Sequence, residues 1–332
     1  RVTYAAGDLA PGFVHEEVNS RLCDEVVGIL KNHRAKGGSK PLFLYYAMLE
    51  PHTPWLPEER FAGKSGAGPY GDYVTQLDHE LGRVLDALKK SELEGDTLVF
   101  FSSDNGALWP EADIRKYGHR ANGPLAGGKA RPEEGGHRVP FIARWPGKIP
   151  AGTKTDALIN HTDLLATLAE LMDLQDAAPE ARIDSHSFLS VLRKPDSQHE
   201  RPAMAVTAGS FRLDDWKLTF NRGPRSAGPE AREIEQASLY HLAKDLSETT
   251  DLSDSQAERK TQMFAAFREY YSTTKLKPLA EQVRARKTQK KPRSKTKTKP
   301  ARTSKPAGKD LDEIRQQRTA LQKQLDKLLT AE

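Results

Sequence analysis

The chain has 332 residues, 37% of them hydrophobic, with 51 Lys and Arg against 46 Asp and Glu. That length holds one large domain or two ordinary ones; no apolar run reaches the roughly 18 residues of a membrane-spanning helix, and a single cysteine excludes an internal disulfide framework. The net charge of +5 suggests a basic protein, but 12 basic and no acidic residues lie between Arg284 and Lys309, which leaves the rest of the chain at −7.

The opening RVTYAAGDLA begins on Arg1 rather than Met and lacks the apolar core of a signal peptide, as expected of a processed or truncated product. Apolar positions at Val18, Leu22, Val26, Val27 and Leu30 then have helical spacing. Residues 42–49, LFLYYAML, form a continuous apolar run of strand length, as for a strand buried on both faces. Pro51 and Pro54 stop it and leave His52 on a loop. After a Gly-rich stretch, Val74, Leu77, Leu81, Val84, Leu85 and Leu88 predict an amphipathic helix.

Residues 97–102, TLVFFS, predict a second buried strand running into Asp104-Asn105-Gly106, and residues 139–145, VPFIARW, a third. Thr162 or Asp163 can cap a helix over 164–172. Strands alternating with helices predict an α/β fold with a mixed, largely parallel sheet, whose sites form beyond the strands' carboxyl ends. From about residue 203, AMAVTA, FRLDDWKLTF, SLYHLAKD and a helix near 262–271 predict a small α+β subdomain. Residues 276–309 are rich in Lys, Arg, Thr, Pro and Ser and predict a disordered linker. A last amphipathic helix over 310–332 carries Leu311, Ile314, Arg318, Leu321, Leu325 and Leu328 at heptad spacing.

Three places carry candidate chemistry. Asp104 and Asn105 offer a carboxylate and an amide oxygen, donors that suit a hard cation; Asp-Asn-Gly is also a common hairpin turn, although no alternating strand follows to complete one. An isolated His in a loop is usually a surface residue, but the placement of His52 at a strand exit between two prolines raises the chance that it faces a site. Lys129 follows Gly127 and Gly128, which let a backbone approach an anion closely; the stretch lacks the P-loop pattern. Cys23 reads as a small buried hydrophobe.

Pro51-His52-Thr53-Pro54, Ser103-Asp104-Asn105-Gly106, Gly127-Gly128-Lys129 and Glu134-Gly135-Gly136-His137-Arg138-Val139-Pro140, in this order, resemble the sulfatase family of the alkaline-phosphatase-like superfamily. Tyr70-Gly71-Asp72-Tyr73, Asp163 to Leu168, Asp215-Trp216-Lys217-Leu218 and Leu239-Tyr240-His241-Leu242 extend the resemblance over about residues 1–275. It implies hydrolysis of sulfate esters with calcium, or magnesium as the alternative. Asp104 and Asn105 would be metal ligands, Lys129 would contact the sulfate, and His52 would be the proton donor near the leaving group. Residues 1–202 would be the C-terminal portion of the catalytic domain and 203–275 its small subdomain.

The family's nucleophile is a formylglycine made from Cys or Ser in Cys/Ser-x-Pro/Ala-x-Arg. Cys23 does not fit, because Glu25 and Val27 stand where Pro and Arg belong. The resemblance therefore places formylglycine, a pair of Asp ligands and a Lys-x-His pair upstream, and the expectation is an inactive C-terminal fragment. The implied substrate is a sulfated small molecule or sulfated glycan, and the implied location periplasmic or secreted. The basic tail could contact a polyanion; without aromatic interleaving it does not indicate nucleic acid. A phosphatase or phosphonate hydrolase of the superfamily and a non-catalytic sulfated-glycan-binding protein remain the alternatives; Asn105 argues against the phosphatase branch, which generally has Asp-His there.

Overall fold

The computed structural model describes residues 10–37, 40–175, 184–199, 201, 203–207, 209–220 and 229–273. The chain divides into two compact units, Arg1–Gln282 and Val283–Glu332. The second unit, the predicted linker 276–309 and the predicted helix from Asp310 lie outside the described residues.

Helix α1 (Val18–Ala35) buries Asn19, Cys23, Val26 and Leu30, the spacing of one helical face. It packs on α2 (Gly68–Lys90), and Val26, Leu30, Ala87 and Leu88 form a small core bordered by Tyr46 and Val99. The face of α2 differs in part from its apolar stripe. Val74 is exposed, whereas Gln76 and Glu80 are fully buried. Both have partners that make their burial tolerable: Gln76 Oε1 accepts from Glu58 N at 2.9 Å, and Glu80 Oε2 from Arg83 Nη1 at 2.6 Å.

The expected strand at 42–49 is not formed. Residues 41–49 carry no ladder, and Phe43 and Tyr45 are 77% and 82% exposed. The other two expected strands are present. β1 (Val99–Ser102) and β2 (Phe141–Arg144) pair antiparallel, with Val99 opposite Arg144 and Ser102 opposite Phe141. A short helix, α3 (Glu111–Tyr117), ends at Gly118, which takes a left-handed φ of 66°.

Helix α4 (Asp163–Leu171) begins where expected, but neither candidate caps it in the usual way. Asp163, fully buried, accepts from the amides of Asn160 and His186 and pairs with the buried Arg201 at 2.9 Å. Helix α5 (Leu189–Arg193) follows, and Phe188 beside it stacks on Phe100 of β1 and Phe141 of β2.

The downstream sheet is an antiparallel meander of β3 (Met204–Thr207), β4 (Ser210–Leu213), β5 (Trp216–Thr219) and β6 (Ser238–His241). Helix α6 (Ala257–Thr273) lays Met263 and Phe267 on Phe211, Leu218 and Leu239, all essentially inaccessible. The mixed α/β class with a small α+β region is therefore as expected. Every strand pair among the described residues is antiparallel, because the segment at 41–49 that should have supplied a parallel strand forms no ladder.

Candidate active site

The segment leaving β1 carries Ser103, Asp104 and Asn105, and the chain from 126 to 138 folds back against it. Two backbone contacts join these loops, Gly106 N to Gly136 O at 3.0 Å and Lys129 N to Ala107 O at 3.2 Å, and Gly135 N to Ala126 O at 2.7 Å closes the second loop on itself. The approach is so close that a Cβ on Gly106 would lie 1.8 Å from the Gly135 carbonyl oxygen. Glycine is a steric requirement there. Asn122 closes the arrangement, its Oδ1 accepting from Ala107 N and its Nδ2 donating to Ala107 O.

These loops border a cavity of about 940 Å³ that brings together Asp104, Asn105 and Lys129. Arg131, His137 and Arg212, none singled out as a site residue from sequence, also line it. Lys129, Arg131 and Arg212 form no ion pair with a described carboxylate, so cationic side chains stand ready for an anion. Arg212 Nε donates to Asp214 O at 2.9 Å, and burial presses its guanidinium below its ordinary range. His137 was legible as part of the Glu134 to Pro140 motif. Arg212 had no signal, since it reaches the cavity from β4, far along the chain.

His52 is not brought into that cavity. It is exposed, between the cis bonds Glu50-Pro51 and Thr53-Pro54. Its Nδ1 lies 2.7 Å from Thr53 O. A carbonyl only accepts, so Nδ1 carries a hydrogen and Nε2 is the position left for proton exchange.

The donor chemistry suits a hard cation in kind. Asp104 and Asn105 present oxygen ligands, and neither side chain is engaged by another described residue. It does not suffice in number, since calcium takes about six to eight oxygens. Among the described residues no group of three or more His, Cys, Asp or Glu could hold a metal ion.

Among the described residues no Cys or Ser joins these groups in the cavity lining. Cys23 is fully buried in α1, with Sγ 3.5 Å from Glu80 O, and burial pushes its thiol up to about 12. Ser255-Gln256-Ala257-Glu258-Arg259 matches the formylglycine pattern in letters, a match the motif reading overlooked. Ser255 is exposed just before α6, away from the cavity lining, and Arg259 lies over the Trp216 ring at 5.5 Å. The match is coincidental.

Comparison with known proteins shows the family and the fold. The Sulfatase family model matches residues 9–174. The chain is 33% identical over 197 residues to N-acetylgalactosamine-6-O-sulfatase of Bacteroides thetaiotaomicron, covering 57% of this chain and 38% of that protein. It is 33% identical over 257 residues to N-acetylgalactosamine-6-sulfatase of Sus scrofa, covering 70% and 48%. The chain thus spans less than half the length of these relatives. Among solved structures, Ps i-CgsB in complex with k-i-k-neocarrahexaose aligns with a TM-score of 0.62 at 26% identity, over 81% of this chain and 59% of that one. The fold is that of the alkaline-phosphatase-like sulfatases, and the chain belongs to the sulfatase family.

Proposed function

We propose that this chain forms the metal- and sulfate-binding half of an enzyme that hydrolyses sulfate esters, R–O–SO₃⁻ and water giving an alcohol and sulfate. The observation that carries the reading is the convergence of Asp104, Asn105 and Lys129 on one cavity from segments some 25 residues apart in sequence. Asp104 and Asn105 would hold calcium, or magnesium, as two of its oxygen ligands. A cation there would supply positive charge to the sulfuryl oxygens. Lys129 binds the sulfate as a point charge and neutralises it on the side facing the glycine loop. His52, exposed outside the cavity lining, would protonate the departing alkoxide through Nε2 where the leaving group extends beyond the cavity.

Residues 1–202 act as the catalytic portion and 203–275 as the small subdomain. A formylglycine nucleophile and the remaining metal ligands come from outside these residues, so the chain alone binds without turning over. A sulfated hexosamine within a glycan is the favoured substrate, in keeping with the relatives' names and the cationic lining. A periplasmic or secreted setting suits such a substrate. No helix among the described residues is long and apolar enough to cross a membrane.

Calorimetry with galactosamine 6-sulfate and calcium chloride tests the reading. Binding should be lost in Lys129→Ala and Asp104→Ala and should not be reproduced by the matched phosphate ester. Binding indifferent to both substitutions rejects the site, and calcium-dependent turnover of an aryl sulfate by this chain rejects the external nucleophile.

A further inference from the structure

We infer that Lys217 and Glu248, more than 80 residues beyond the motif loops, are positioning residues that hold the Asp104 and Lys129 loops in register. The inference rests on the sulfatase reading for its purpose but not for its geometry. Lys217 of β5 and Glu248 after β6 are both buried with fully inaccessible side chains. Lys217 Nζ donates to Glu134 Oε1 at 2.8 Å and lies 3.4 Å from His137 Nε2. Glu248 Oε1 is 3.0 Å from the same Nζ and forms an ion pair with it. The other oxygen, Oε2, accepts from Glu134 N at 2.6 Å.

Glu134 is thus gripped twice, by its side chain through Lys217 and by its backbone through Glu248. Burial would raise its carboxyl, but His137 and Lys217 outweigh that and hold it well below the usual carboxylate range. Burial raises the Glu248 carboxyl despite Lys217. The short 3-10 turn Glu134–Gly136 is the shelf on which both site loops rest. Gly136 O receives Gly106 N, two residues from Asp104, and Gly135 N donates to Ala126 O at the start of the loop that carries Lys129. The Glu134 carbonyl closes the turn by accepting from Arg138 N at 2.7 Å.

A buried ion cluster is a poor source of net stability compared with apolar packing. Direction is what this one supplies. Two buried carboxylates flank one ammonium, and Glu248 spans from that ammonium through Oε1 to the Glu134 amide through Oε2, which fixes the direction of the turn. Removing the ammonium leaves Glu134 with only the longer contacts to His137 and Arg138 and Glu248 with no cation, and the repulsion between the two carboxylates is relieved by swinging the turn away. The Asp104 and Lys129 loops move with it.

Hydrogen–deuterium exchange on the full chain, without metal or substrate, reads this directly. In Lys217→Met and in Glu248→Gln, peptides covering 104–107, 126–129 and 134–138 should exchange about tenfold faster than in the wild type. Amides of the four-stranded sheet and of α1 should keep their rates. A merely structural clamp would instead loosen the sheet together with the loops. Unchanged loop exchange, or equal acceleration of loops and sheet, overturns the inference. If Lys217→Met does not fold, Glu248→Gln alone decides by the same criterion. Because the readout needs no catalysis or ligand, it stands or falls separately from the calorimetric test of the sulfatase reading.

Discussion

Glu50 is only 6% exposed, and neither carboxylate oxygen has a hydrogen-bond partner among the described residues. Burial pushes its carboxyl up to about 7, with Glu80 and Glu58 adding repulsion. The folded state therefore holds this proton more tightly than the unfolded chain, whose ordinary value is 4.5. Below that value both states are protonated and no penalty exists. As pH rises to 7 the unfolded chain ionises first and stability falls, levelling off once both states have ionised. At about 1.4 kcal/mol per unit, the loss amounts to roughly 3–4 kcal/mol. Glu50→Gln should therefore gain urea resistance over the wild type at pH 8 and little at pH 5; a gap independent of pH would refute the burial argument. Gly106 gives a steric counterpart. A methyl group 1.8 Å from a carbonyl oxygen must force the two site loops apart, so Gly106→Ala should cost about 1–3 kcal/mol by urea denaturation and lose calcium-dependent sulfate binding. Normal binding in that variant would contradict the close approach.

Among the elements, α1, α2, α4 and the strands β1 and β2 were legible because each carries its own periodicity or apolar run. The failure at 42–49 is equally physical. A run such as LFLYYAML reports that a strand is suited to burial on both faces, not that neighbours are present to bury it. Here only Tyr46 reaches the α1–α2 core, while Phe43 stays in water. Gln76 and Glu80 were missed because polar residues are buried through partners distant in sequence, Glu58 N for Gln76 and Arg60 for Glu80. The site divides similarly. Asp104, Asn105 and Lys129 belong to local motifs, whereas Arg212 and Lys217 reach theirs through the placement of the second sheet, which no spacing encodes. Two phenylalanines test the contrast. Phe267 of α6 is fully buried against Phe211 and Phe220, so Phe267→Ala should cost about 3–5 kcal/mol. Phe43, 77% exposed, should tolerate Phe43→Ala within about 0.5 kcal/mol. Chemical denaturation of the two variants checks both, and equal losses would mean that residues 41–49 are packed.

At the scale of the whole molecule, two cationic features with different physics are available to a sulfated glycan. One is the basic run from Arg284 to Lys309, with 12 positive and no negative residues on a chain whose remainder carries −7. The other is the cavity, where Lys129 and Arg212 are half-buried and Arg131 is exposed at its edge. Charges in open solvent are screened over about 8 Å at physiological salt and about 3 Å at 1 M. Partly buried charges with fixed geometry are screened far less. Affinity for a sulfated polysaccharide should therefore separate into two components. Replacing residues 284–309 with a neutral Gly-Ser linker should abolish retention on heparin at low salt, since the remaining net charge is repulsive. The same replacement should leave binding of a monosaccharide sulfate unchanged. Lys129→Ala should do the reverse, removing the monosaccharide component while heparin retention persists and declines steeply with salt. Heparin chromatography over a salt gradient, paired with calorimetry on the small ligand, resolves the two. If the linker replacement also lost the monosaccharide, the run would be serving the cavity directly and the separation of the two features would be wrong.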